Sequence, residues 1–105
     1  MSVPGINWSY KQAIKPASLR FLLVTLGWYV NDDGLAWPSQ KTLSNRTGLD
    51  RKTVIAGLQK LEAEGLILDT GSRAGGGVKI YEMAMTDEER SRFHPGSLRT
   101  RHESF

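Results

Sequence analysis

Residues 39–61 read SQKTLSNRTGLDRKTVIAGLQKL, and the punctuation of this stretch decides the fold. Ser39 is a good N-cap, which predicts a short helix from Gln40 to about Arg46 with Leu43 pointing inward. Thr47-Gly48-Leu49 breaks that helix, because glycine can take the left-handed conformation that ends a helix and turns the chain sharply. Asp50 then caps a longer helix predicted to run to about Glu64, to bury Val54, Leu58 and Leu61 on one face, and to end at Gly65. Two helices joined by a tight glycine turn result.

Working outward toward the C-terminus, Leu66 to Thr70 and Val78 to Met83 alternate apolar and polar residues as half-buried strands do. The segment between them, Gly71 to Gly77, is too long for a two-residue turn, so a hairpin with a long flexible tip is expected. Thr86-Asp87-Glu88-Glu89 has the form of a capping box that starts one or two helical turns through Phe93, with His94-Pro95-Gly96 as the stop and a polar, aperiodic, mobile tail beyond. In the other direction, Leu35 to Trp37 form a brief extended piece behind the turn signal Asn31-Asp32-Asp33-Gly34. Ahead of that turn, Leu19, Leu22, Leu23, Leu26 and Val30 recur at helical spacing from Pro16 onward. This helix carries a second apolar line, Phe21, Val24 and Trp28, and so must be covered on more than one face. Ile6, Trp8, Tyr10 and Ile14 fit a short strand or an irregular arm as easily as a helix. The expected organisation is an N-terminal arm (residues 1–14), a folded domain (15–85) and a short helix with a tail (86–105).

The chain has 105 residues, room for one compact domain and a tail but not for a two-domain enzyme. Hydrophobic residues at 39% and charged residues at 24% exclude wholesale disorder. Cysteine is absent, which removes disulfide frameworks, thiol nucleophiles and cysteine-ligated zinc, and points to a reducing compartment. The longest apolar run, Phe21 to Val24, is far short of a membrane span, and the N-terminus lacks a signal peptide, so the expected location is the cytoplasm. The formal net charge is +3, yet residues 39–60 alone carry Lys41, Arg46, Arg51, Lys52 and Lys60 against Asp50, a local balance of +4. A basic patch focused on a near-neutral domain attracts a phosphate backbone without binding every anion.

The order helix, extended piece, short helix, glycine turn, longer basic helix, hairpin resembles the winged helix-turn-helix fold over about Lys15 to Met83. Gly48 sits in the turn, small Ser44 lies four residues before it where two helices would cross, and Val54 lies six residues after it. Leu58 to Ile67 looks like the passage from a recognition helix into the first wing strand. Trp37-Pro38-Ser39 with Leu43, Thr47-Gly48-Leu49, Thr53-Val54 and an upstream Trp8 is similar to domains of phage and plasmid replication and regulatory proteins. The resemblance implies a mostly α fold with a small β-hairpin, double-stranded DNA as partner, a site on the bacterial nucleoid, and a third helix lying in the major groove.

Residue chemistry agrees with that placement. With Val54, Leu58 and Leu61 inward, Arg51, Lys52, Ile55, Ala56 and Gln59 form an outer face that mixes guanine-reading, adenine-reading and methyl-contacting side chains, with Thr53 and Lys60 at its margin. Ser39, Gln40 and Lys41 stand at a helix N-terminus that favours a phosphate. Ser72 and Arg73 at the hairpin tip are placed to reach the minor groove or its phosphates. Asp50 stands where serine is common in this fold and is a candidate acceptor for a cytosine amino group. Phe21, Val24 and Trp28, with Ile6, Trp8 and Tyr10, are left to cover one another or a second subunit, and a homodimer reading a palindrome is expected.

Other chemistry finds no support. Gly75-Gly76-Gly77 lacks the lysine and following helix of a phosphate-binding loop, Asp32 and Asp33 are turn formers, and His94 and His102 lie in or beside the tail. Asp87-Glu88-Glu89 reads as helix-start charge. No enzyme, metal, cofactor or small-molecule ligand is expected. The role favoured by these observations is a transcriptional repressor or autoregulator, with an origin- or centromere-binding replication or partition factor as the rival within DNA binding, and a protein interaction module as the rival outside it.

Overall fold

The computed structural model describes residues 2–91. Its elements run α1 (Val3–Lys11), α2 (Ala17–Tyr29), β1 (Leu35–Ala36), α3 (Gln40–Thr47), α4 (Arg51–Ala63), β2 (Ile67–Ala74), β3 (Val78–Met83) and α5 (Asp87–Ser91). Helices predominate, and the three strands form one antiparallel sheet in the order β1-β3-β2, the architecture of a winged helix-turn-helix domain.

Each helix boundary has a local cause. The Thr42 amide donates to Ser39 Oγ at 3.0 Å where α3 begins, and the Thr53 amide donates to Asp50 Oδ1 at 2.7 Å where α4 begins. Between them Gly48 takes φ 78°, and its amide donates to the Ser44 carbonyl at 2.9 Å, closing α3. At the far end of α4 the Leu66 amide reaches back to the Leu61 carbonyl, and Gly65 takes φ 76°. Each helix of the unit therefore stops at a left-handed glycine, Gly48 and Gly65 being the stops that the sequence predicts. The capping box is reciprocal: the Thr86 amide donates to Glu89 Oε1 at 2.8 Å and the Glu89 amide to Thr86 Oγ1 at 3.1 Å. The expected run to Phe93, the stop at His94-Pro95-Gly96 and the tail lie outside the described residues.

The core is one cluster. Leu19, Leu22, Leu23 and Leu26 of α2 meet Leu43 of α3, Val54, Leu58 and Leu61 of α4, and Ile67, Tyr81 and Met83 of the sheet. Leu23, Leu26, Leu43, Val54 and Leu61 are wholly buried.

Two expectations change. Within the N-terminal stretch, whose spacing fits a strand or an arm as easily as a helix, Val3–Lys11 form α1. Ser2 caps it by accepting from the Gly5 amide at 3.1 Å, and Trp8, 6% exposed, joins the core. The contact between α1 and α2 is made by small residues. A Cβ on Gly5 would collide with the Gly27 carbonyl, and one on Gly27 would come within 2.5 Å of the Gly5 carbonyl oxygen and the Ser9 hydroxyl. Ser9 Oγ lies 2.7 Å from the Gly5 carbonyl and 3.2 Å from the Leu23 carbonyl, so it has an acceptor on each helix.

The second change is in the hairpin. Gly71 to Gly77 is not a long loop: β2 continues through Ala74, Arg73 stands opposite Lys79, Ala74 stands opposite Val78, and a single 3-10 turn at Gly75–Gly77 closes the tip. The physical reason is a bulge between Asp69 and Arg73. Gly71 takes φ 85°, its amide donates to Asp69 Oδ1 at 2.9 Å, and Thr70 Oγ1 donates across the ladder to the Ile80 carbonyl at 2.8 Å.

Gly27→Ala is expected to destabilise the fold by about 1–3 kcal/mol, because backbone atoms of α1 must shift to admit the methyl group. Gly57→Ala serves as the contrast: its Cβ would come within 2.6 Å of Leu22 Cδ2, the end of a side chain that can turn aside, and meets no backbone, while the helix gains propensity. Urea unfolding monitored by circular dichroism should give a lower midpoint for Gly27→Ala at unchanged slope, and a smaller drop for Gly57→Ala, where only a side chain has to move.

Candidate nucleic-acid interface

The N-termini of α3 and α4 are brought side by side by the Gly48 turn. Ser44 Oγ donates to the Leu49 carbonyl at 2.6 Å, and the Leu49 amide donates to Thr47 Oγ1 at 3.1 Å, so the turn is held by hydroxyls from α3. Across the gap Arg51 Nε donates to Gln40 Oε1 at 3.2 Å, tying one helix start to the other.

From this base α4 stands as a ridge. With Val54, Leu58 and Leu61 buried, Arg51, Lys52, Thr53, Ile55, Ala56, Gln59 and Lys60 are all exposed. Ile55 keeps 36% of its surface in solvent and puts an apolar side chain among these polar ones. The ridge has a groove on each side. Toward the hairpin lies a groove of about 380 Å³ whose lining brings together Ser39, Gln40, Lys41, Arg51 and Arg73. On the other flank Thr53, Ala56 and Lys60 face Pro16, Leu19 and Leu49 across a smaller, mostly apolar depression. Lys52, Ile55 and Gln59 lie outside the lining of both.

Lys79 was not among the residues singled out from sequence, yet it lines the hairpin groove with Arg73. Its Nζ lies 3.7 Å from Asp69 Oδ2, while Arg73 Nη1 lies 3.1 Å from Asp69 Oδ1. Ser72 is exposed just below the tip, where its carbonyl accepts from Arg73 at 2.9 Å. Arg46, part of the same basic stretch of sequence, is turned elsewhere: its guanidinium sits 6.0 Å from the centre of the Tyr29 ring, beside Phe21, Val24 and Trp28 and outside the groove lining. The residues singled out for a subunit contact divide as well. Phe21 (48%), Trp28 (39%) and Tyr10 (60%) are exposed and Ile6 and Val24 half-buried, whereas Trp8 is inside.

Electrostatics follow the hydrogen bonds. The Thr53 hydroxyl and amide hold the Asp50 carboxyl below its ordinary range, so it stays charged while capping α4. The Gly71 amide chiefly, with help from Arg73 and Lys79, does the same for Asp69. Burial pushes the Tyr81 phenol up to about 12, leaving a neutral hydroxyl at the floor of the groove. Among the described residues no group of three or more His, Cys, Asp or Glu is placed to hold a metal ion, and no helix is long and apolar enough to cross a membrane. His94 and His102 lie outside those residues.

A short helix, a left-handed glycine turn and a second helix that offers a polar ridge describe the residues that match a known family model, that of the helix-turn-helix domain, over residues 15–67. The chain belongs to the helix-turn-helix family. In DNA-binding domains of this kind the second helix of the pair lies in the major groove. Protein YmfN of Escherichia coli (strain K12) is 34% identical over 67 residues, which is 64% of this chain but 14% of YmfN, so the helix-turn-helix chain spans only a small part of that relative. No solved structure matches the helix-turn-helix chain.

The Asp50 cap gives a pH-dependent test. Its folded-state pKa lies below the unfolded value of about 3.9, so its contribution is present above about pH 5 and is lost as pH falls through the folded value. Asparagine caps a helix equally well but does not titrate. Denaturant midpoints between about pH 7 and 3 should therefore fall less steeply for Asp50→Asn than for wild type; parallel curves would show that the Thr53 bonds do not distinguish the charged carboxylate.

Proposed function

We propose that the helix-turn-helix chain binds double-stranded DNA in a sequence-specific way through α4, and acts as a small repressor or autoregulator by occupying a promoter that polymerase would otherwise use. The observation that carries the reading is the α4 ridge. Its 13 residues make a rod about 20 Å long, and the major groove at about 12 Å wide admits such a helix. Arg51, Lys52, Ile55 and Gln59 are the side chains that a base edge would meet, while Lys41, Arg73 and Lys79 sit beside the ridge where the flanking phosphates would run. The setting we assign, a phage or plasmid carried in a bacterial cytoplasm, is supported by the likeness of Trp37-Pro38-Ser39 and Thr47-Gly48-Leu49 to domains of that kind.

We further propose a homodimer, with Phe21, Val24 and Trp28 of α2 and Ile6 and Tyr10 of α1 as its face. Those side chains leave apolar surface open beside a half-buried Tyr29, on a flank of the domain that the ridge does not use. One α4 spans too few base pairs for tight selectivity. Two copies about 34 Å apart would read successive major grooves.

Binding should weaken as salt rises with a slope that corresponds to on the order of 4 phosphates per half-site, and Arg51→Ala and Lys52→Ala should each bind less tightly. A slope near zero with both variants unchanged would falsify the duplex reading. Site selection from random duplexes should separate the roles further. Ile55→Ala and Gln59→Ala should relax base preference at particular positions, at a cost of roughly 1 to 3 kcal/mol, and Lys41→Ala should weaken all sequences about equally. Sedimentation at micromolar concentration tests the dimer: Trp28→Glu should shift the chain to monomer, and the selected site should be two-fold symmetric. A wild-type monomer bound one-to-one to an asymmetric site would remove the second copy from the reading.

A further inference from the structure

The hairpin carries an acid among the cations of its groove side. Asp69 stands opposite Tyr81 and Arg73 opposite Lys79, and because side chains two apart on a strand share a face, Lys79 and Tyr81 point the same way. Arg73, Lys79 and Tyr81 line the groove beside α4, facing Lys41 and Arg51. Asp69 is not in that lining, yet its two carboxylate oxygens hold two of the lining cations, Arg73 at 3.1 Å and Lys79 at 3.7 Å. All three side chains remain partly open to solvent, at 42%, 48% and 24% for Arg73, Lys79 and Asp69, so an incoming phosphate can compete for the cations.

The fold does not require the charge. Asp69 Oδ1 accepts from the Gly71 amide at 2.9 Å and so supports the bulge, a task that the amide oxygen of asparagine performs as well. Exposed ion pairs contribute little to stability. In a groove that gathers phosphate, a carboxylate between two cations has a larger effect on binding than on folding, because it lowers the attraction of the hairpin for any phosphate backbone whatever its sequence.

We propose that Asp69 is a specificity-determining counter-charge, which holds Arg73 and Lys79 in a preformed ion pair that a DNA phosphate must displace, and so suppresses sequence-independent binding relative to binding at the correct site. The inference rests on the duplex-DNA reading of this groove. On a random duplex, exchanging carboxylate for phosphate yields a small net gain, and the hairpin adds little. At a site that α4 reads, the helix is seated and the hairpin is held over one backbone. Effective concentration then favours the exchange, and the cations add their contacts after recognition.

The test is fluorescence anisotropy of the full chain against a random duplex pool and a duplex selected from it, over a salt series. Asp69→Asn should bind the random pool about tenfold tighter than wild type with a salt slope steeper by about 1, and should gain less on the selected duplex, so the ratio of specific to random affinity falls. Glu82→Gln removes the same charge from the opposite face of the hairpin, since Glu82 stands opposite Leu68, and should stay within about twofold of wild type. Equal gains for Asp69→Asn and Glu82→Gln would overturn the proposal in favour of a net-charge effect. Unchanged or weaker random binding by Asp69→Asn would overturn it in favour of a positioning role for the carboxylate. Asp69→Ser, whose hydroxyl can also accept from the Gly71 amide, guards against a hairpin disturbed by one particular substitution and should behave like Asp69→Asn. Failure of the wild type to bind any duplex at low salt would instead remove the DNA reading itself, and this inference with it.

Discussion

The placement of α4 depends on the backbone at Gly48. A φ of 78° there is what lets α3 end and the chain double back within three residues, and no side chain of the L series adopts that angle without strain. The turn is then held from one side only: Ser44 and Thr47, both on α3, bond to Leu49, which leaves α4 free to be fixed by its own buried stripe of Val54, Leu58 and Leu61. Because that stripe is narrow, the rest of the helix circumference stays outside. The exposed ridge and the buried stripe are the same packing fact, and a larger α4 face in the core would have left fewer side chains for a partner.

Charge is distributed by the same geometry and not by proximity in sequence. Arg46 and Arg51 are five residues apart, yet the glycine turn sends one over the Tyr29 ring and the other into the groove beside Lys41. Lys79 is nearly thirty residues further on, and the hairpin returns it to the groove as the opposite number of Arg73. The basic groove is therefore assembled in the fold from four elements, only two of which draw on residues 39–60, with Asp69 placed so that part of its charge is neutralised before any ligand arrives.

How much of this was legible in the sequence depends on what kind of signal each contact leaves. Caps and left-handed glycines are single-residue signals, so the boundaries of α3 and α4 and the reciprocal Thr86–Glu89 box could be read directly, and so could the inward Val54, Leu58 and Leu61 that define the outer face. The helix α1 left almost none. Its contact with α2 is a backbone approach through Gly5, Ser9 and Gly27, and small residues carry no hydropathy pattern to mark a buried face. Lys79 escaped because a lysine in an alternating strand reads as the solvent side. Finding it required the register, and between the Asp69–Tyr81 and Arg73–Lys79 pairs the chain takes four steps along β2 against two along β3. A glycine and two hydroxyl residues in that interval look like loop, and only the bonds from Gly71 to Asp69 and from Thr70 to Ile80 show that the strand goes on.

The small-residue contact of α1 also explains why apolar surface is left over. Had α1 carried large side chains toward α2, it would have stood further off and spread across the second apolar line. Close approach at Gly5 and Gly27 instead brings α1 down onto the Leu23 and Gly27 side of α2, seating Trp8 in the core while Phe21 and Trp28 remain outside. The same approach fixes the rim of that surface, because Arg20 donates to the Tyr10 carbonyl at 2.6 Å where α1 ends and Arg46 closes the other edge over Tyr29. Neither edge shares a residue with the groove lined by Arg51, Arg73 and Lys79. Because the two linings have no side chain in common, the second copy and the duplex proposed above would not compete for the same residues.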